Sequence, residues 1–178
     1  MMQVLLALAM ASGTLGNGIV SIQAAGNRVN FALDKTVTAS HDDGNLPSKV
    51  VDGDLSTRWG TDPYGSNQWL NVDLEKTEQV DEFRIASENN DAQKIRKFKI
   101  EGSVDGEQYT LLYDGEDRPE GYDLDFTVTL DEPVACRYVR ITVESLISGA
   151  YPSVSLREFE VIGYEAEEVS AVKAALEA

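Results

Sequence analysis

Between residues 36 and 163, apolar and polar positions alternate in short runs broken by clusters of Gly, Asn, Asp and Pro. Leu70, Val72 and Leu74 alternate with Asn71 and Asp73; Val139, Ile141 and Val143 alternate with Tyr138, Arg140 and Thr142. A period of two sends one set of side chains to a buried face and the other to water, which is the signature of a half-buried strand. The same pattern predicts strands at residues 36–40, 69–74, 80–86, 98–104, 109–113, 124–130, 137–144 and 155–162. Nothing with helical period lies between them to carry parallel crossovers, so the pairing is expected to be mainly antiparallel. So many half-buried strands need two sheets closing on one core. The predicted fold is all-β, an antiparallel β-sandwich of jelly-roll type.

The two ends of the chain read differently. Residues 4–11 (VLLALAMA) are apolar and lead through Gly/Ser/Thr-rich sequence to Ala24-Ala25-Gly26, as in the hydrophobic segment and cleavage zone of a secretory signal. An ordinary N-terminal helix is the alternative, and the first basic residue is only Arg28. The run is too short, and too broken by Gly13, Gly16 and Gly18, to span a bilayer. At the other end, Val169, Val172 and Leu176 recur at helical spacing behind a first turn of acids, predicting a short C-terminal helix. The expected division is a signal-like, flexible N-terminus over 1–27, a β-sandwich domain over 28–164, and the start of a helical linker over 165–178 belonging to a longer parent.

Composition narrows the functions. The 178 residues carry 15 Lys+Arg against 31 Asp+Glu, a formal charge of −16, while 42% hydrophobic residues suffice for a core. Such a surface repels phosphate backbones and anionic membranes, so neither nucleic-acid binding nor basic membrane attachment fits. A single cysteine, Cys136, excludes a disulfide framework and a Cys-rich zinc site; a single histidine, His41, excludes a His-based catalytic metal centre. Cys136 opens a strand and reads as small buried packing rather than as a nucleophile.

The most chemically suggestive segment runs from Lys49 to Trp59. Asp52, Asp54 and Thr57 place two carboxylates and a hydroxyl on one tight turn, with Gly53 permitting a positive φ. Calcium takes six to eight hard oxygen ligands and accepts backbone carbonyls beside carboxylates. Equally, the Asp side chains can cap backbone N–H groups in Asx turns without any metal. Spacing alone leaves both readings open.

VVDGDLSTRWGT, QWLNVDLEKTEQVDEFRI, FKIEGSVDGEQYTLL, CRYVRITV and SLREFEVIGYE follow one another in the order seen in discoidin-type domains. The chain thus resembles the coagulation factor V/VIII C-type (F5/8 type C) domains, most closely the family 32 carbohydrate-binding modules, over about residues 30–164. The resemblance implies a galactose-binding-like jelly roll, ligand binding by loops at one end, and a structural calcium. Carried over, the calcium ligands are Lys49 through its carbonyl, Asp52, Asp54, Thr57 and Glu158. The carbohydrate-binding branch fits better than the animal branch, whose terminal disulfide a single cysteine cannot form and whose apolar loop spikes are replaced here by polar loops.

Sugar recognition needs an aromatic face against the C–H side of a pyranose and polar groups for its hydroxyls. The loops supply Tyr151 as the expected stacking ring, with Tyr64, His41, Glu88 and Asn90 around it. Each has a plainer role available as a turn or surface residue. Trp59 and Trp69 are assigned to packing. Galactose-binding members of the family commonly carry an Arg and an Asn in the loop corresponding to residues 87–93, which here has no Arg and has Glu88 near that place, so galactose specificity does not carry over. The expected function is a non-catalytic carbohydrate-binding module with a structural calcium. It would be linked to catalytic or helical modules of a secreted or cell-surface bacterial glycan-active protein and direct it to terminal mono- or oligosaccharides without membrane insertion. Adhesion to protein or lipid, or glycosidase activity by a pair such as Glu88 and Asp42, are the alternatives.

Overall fold

Leu70, Val72, Val139, Ile141 and Val143 are fully buried and Leu74 nearly so, as their alternation requires. The computed structural model describes residues 27–62, 64–65, 67–88, 93, 95–115, 125–146 and 153–165. Its elements are β1 (Arg28–Asn30), β2 (Thr36–Ala39), a 3-10 turn (Pro47–Val50), β3 (Trp59–Gly60), β4 (Gln68–Ser87), β5 (Ile95–Ser103), β6 (Thr110–Asp114), β7 (Asp125–Leu146) and β8 (Ser155–Tyr164). All pairings are antiparallel. The strands run in the order β1-β8-β4-β7-β5-β6, with β2 added on β4 and β3 on β8. The expected C-terminal helix and the N-terminal apolar run lie outside the described residues.

Two corrections concern the long strands. Residues 69–74 and 80–86, expected as separate strands, belong to the single 20-residue β4, and 124–130 and 137–144 to the 22-residue β7. The exposed Glu75-Lys76-Thr77 and the Pro133 segment read as breaks because they interrupt the apolar alternation and, at Pro133, remove a donor. The ladder nevertheless continues, with register shifts between Asp73 and Glu78 and between Val80 and Glu82. A straight β4 would be about 66 Å long, against a radius of gyration of about 15 Å for a domain of this size. It has to bend. Glu75 adopts φ 70°, and its N–H donates to Asp73 Oδ1 at 2.8 Å. Before the bend β4 pairs with β2 and the end of β7; after it, with the start of β7 and with β8. β8 lies against this bend at Gly163, where a Cβ would run into the Gln79 carbonyl.

The core joins Phe83, Phe98, Phe159, Leu156 and Trp59 to the aliphatic rows of both halves. Trp59 is fully buried, as expected. Trp69 is not part of that core. The alternation that buries Leu70 turns Trp69 to the outer face, where Arg140 lies 5.0 Å from its ring centre and 3.9 Å from that of Tyr109. Cys136 is buried, and loss of solvation pushes its thiol up to about 12.

Candidate functional site

The bends bring both ends of β4 and β7 to one end of the sandwich. There Ser87 pairs with Leu156 and Leu146 with Ile95. The segments carrying His41, Tyr64, Glu88 and Gln93 gather around this end, through Ser40 N–H to the Trp69 carbonyl, Asn67 N–H to Val143 and Glu88 N–H to Ser155. Beneath them sits a buried polar layer of Thr61, Ser87, Gln93, Ser153 and Ser155. Gln93 Nε2 donates to Ser153 Oγ at 3.2 Å. These residues went unnoticed in the sequence, although Ser87 continues the inward set of Phe83 and Ile85 and thus marks a core turning polar at its tip.

His41 and Tyr64, expected at one loop end without a contact between them being predicted, form a pair. Their ring centroids are 3.9 Å apart at an interplanar angle of 62°, and Tyr64 remains 47% exposed. Trp59 Nε1 donates to the His41 carbonyl at 2.8 Å, tying the first loop to the core. Glu88 is half-buried beside Ser155. Asn90 and Tyr151 lie outside the described residues. Behind the pair, burial pushes the Asp43 carboxyl up, but hydrogen bonds from Asn45 and Asp62 and the charge of Arg58 outweigh it and hold the group below the usual range.

The turn after the 3-10 element gathers oxygens. Val50 and Val51, both buried, anchor it, and Gly53 takes φ 72°. Thr57 Oγ1 lies 3.0 Å from each oxygen of the Asp52 carboxylate, 3.1 Å from the Asp54 carbonyl and 3.3 Å from the Lys49 carbonyl. One hydroxyl proton serves one of these four acceptors, so the cluster carries lone pairs in excess of its donors. Lys49 Nζ, 3.2 Å from Asp52, is the nearby cation. The Asx-turn reading is also realised. Asp52 accepts the Asp54 N–H, and Asp54 points its own carboxylate at Ser56, leaving its carbonyl to face Thr57.

Glu158 comes from β8 to the same place. It is 4% exposed, and its Oε1 is buried without a hydrogen-bond partner. Burial pushes its carboxyl up to about 7 and the Asp52 and Glu160 charges add to the rise, against the Gly53 N–H that favours ionisation. An orphaned carboxylate oxygen beside an acceptor-rich turn is the donor set a hard cation requires. Among the described residues no three His, Cys, Asp or Glu side chains converge on a metal position, so carbonyls and Thr57 would have to complete such a shell.

The fold coincides with that of a known domain. The F5/8 type C domain profile matches residues 35–159, and the chain belongs to that family. Among solved structures it is similar to chitosan-binding module 1 of a chitosanase/glucanase from Paenibacillus sp. IK-5, at 28% identity over 76% of this chain and 99% of that one, TM-score 0.66. It is similar to the family 32 module of AlyQ, solved with 4,5-unsaturated mannuronic acid, at 30% identity over 72% and 95% of the two chains, TM-score 0.61. The family 32 module of C. perfringens NanJ, solved with galactose, is 26% identical over 76% and 98%, TM-score 0.64. A search of curated proteins found no match.

Proposed function

We propose that this chain is a non-catalytic carbohydrate-binding module whose loop end takes terminal sugars of a glycan. The observation that carries the reading is the His41–Tyr64 pair, an exposed aromatic surface that includes the His41 imidazole, at the same end of the sandwich as Glu88. An aromatic face matches the C–H side of a pyranose, while imidazole and carboxylate groups match its hydroxyls. The sequence adds Asn90 and Tyr151 from the adjoining loops. Relatives that bind chitosan, an unsaturated mannuronic acid and galactose support a saccharide ligand without selecting one.

In this reading the 49–57 turn holds a structural calcium through the Lys49 and Asp54 carbonyls, the Asp52 carboxylate, Thr57 Oγ1 and Glu158. The orphaned Glu158 Oε1 and the surplus of acceptors around Thr57 support the assignment. The module serves as the targeting unit of a secreted, multidomain glycan-active protein, as the derivation of one relative from a chitosanase/glucanase suggests by analogy.

Affinity electrophoresis through gels containing chitosan, alginate or a galactose-bearing polysaccharide tests the reading. Wild-type protein should be retarded by one of them. Tyr64→Ala should lose the retardation at unchanged melting temperature, because Tyr64 is already 47% exposed. Equal retardation of the variant, or none of the wild type, would refute it.

A further inference from the structure

The aromatic pair depends on a turn, residues 61–64, that is bound from two sides. Tyr64 N–H donates to the Thr61 carbonyl and Thr61 Oγ1 donates back to the Tyr64 carbonyl, each at 2.5 Å, so the turn is closed in both directions. Thr61 is fully buried, and its hydroxyl also accepts the Val154 N–H at 2.9 Å while its own N–H donates to the Val154 carbonyl at 3.1 Å. That side fastens the turn to the approach to β8. On the other side Asp43, from the loop bearing His41, accepts the Asp62 N–H at 3.4 Å through Oδ2, and the Asn45 N–H and side-chain amide at 3.0 and 2.7 Å through Oδ1. The Asp43 N–H donates to the Gly60 carbonyl at 3.0 Å. Gly60 leaves room for this arrangement, since a Cβ there would meet Asp43 Oδ2 at 2.7 Å and collide with Arg58 Nη1.

We infer that Thr61 and Asp43 are positioning residues that hold the Tyr64 ring against His41. The inference rests on the reading of the pair as the sugar-contacting surface, but its geometric content stands apart from that reading. Neither side chain offers the ligand a surface of its own. Thr61 is fully buried, and Asp43 has its oxygens engaged by Asn45 and Asp62 with Arg58 at 4.0 Å. Their contribution is to remove the freedom of the 41–45 and 61–65 segments before a ligand arrives, which is where preorganised binding surfaces gain affinity. Thr61 reaches across 93 positions of sequence to do so, and the hydroxyl is essential because only a group that both donates and accepts can serve the Tyr64 carbonyl and the Val154 N–H together.

The single histidine gives a direct readout. In NMR spectra of the full chain, the His41 ring protons should be displaced from unstructured-peptide positions by the Tyr64 ring current, and Tyr64→Leu should abolish the displacement. Thr61→Val keeps the shape and removes the hydroxyl; it should move both resonances toward the Tyr64→Leu positions. It should also weaken binding of whichever of chitotriose, galactose or an alginate oligosaccharide the wild type takes, by about tenfold. Thr61→Ser should restore shifts and binding. Asp43→Asn, which keeps the fold's buried core intact, should produce a similar movement from the other side. His41 resonances at their wild-type positions in both Thr61→Val and Asp43→Asn, or no displacement in the wild type, would overturn the inference. Displaced resonances that respond to the variants in a protein binding none of the three sugars would support the positioning role and refute the glycan reading instead.

Discussion

Glu158 offers the sharpest test of the calcium assignment because the metal reverses the sign of its effect. In the folded chain without a cation, burial raises the carboxyl from its ordinary 4.5 to about 7. The folded state therefore binds this proton more tightly than the unfolded state. Stability from this group falls as pH rises from about 4.5 through about 7, and above 7 the ionised, uncompensated carboxylate costs roughly 3 kcal/mol. For a domain of this size that corresponds to about 10 °C in melting temperature. In chelator at pH 8, Glu158→Gln removes the buried charge and should raise the melting temperature. With calcium in excess the ionised form is the one that holds the ion, and binding at a thousand times Kd adds about 4.1 kcal/mol, which the glutamine variant largely forfeits and which exceeds the roughly 3 kcal/mol it gains by losing the charge. The same substitution should then lower the melting temperature. Scanning calorimetry of wild type and variant at pH 6 and pH 8, with chelator and with calcium, reads all four corners. A glutamine variant destabilised to the same extent in chelator and in calcium would show that Glu158 is an ordinary buried acid and that no cation shares its site.

Gly163→Ala should destabilise the fold by about 1–3 kcal/mol or more, read from urea unfolding, because its methyl group would overlap the Gln79 carbonyl at the bend of β4. Cys136, its thiol pushed up to about 12, should not react with a disulfide reagent at pH 8 until the protein is unfolded; rapid native labelling would contradict its burial. Trp59→Phe should cost about 1–3 kcal/mol by leaving the His41 carbonyl without its indole donor, and should broaden the His41 resonances by loosening the first loop; sharp, unshifted resonances would contradict that tether.

Sheet pairing was legible where side chains alternate over five or more residues, as at Leu70–Leu74 and Val139–Val143, since burial on one face is a local property of a strand. Strand continuity was not. Glu75 to Thr77 and Pro133 look like turn sequence, and only the pairing of the residues on either side of them with distant partners carries the ladder past them. β1 and β3, three and two residues long, carry no period at all and exist because β8 receives them. The outward placement of Trp69 followed from the same alternation that buried Leu70, yet the size of an indole argues for the core and misleads. The acidic turn announced itself through Asp52, Gly53 and Asp54, whereas Thr61 and Asp43 look like loop residues until the chain brings Val154 and Asp62 to them.

The antiparallel pairing of Arg28 with Tyr164 has an architectural consequence. The polypeptide enters and leaves the sandwich side by side, at the end where β4 bends and away from His41 and Tyr64. A unit wired this way behaves as a cassette. It could be spliced between two neighbours, or into a surface loop of one, with little change in the spacing of the host's own backbone, because its points of entry and exit stand together at the end opposite the His41–Tyr64 pair.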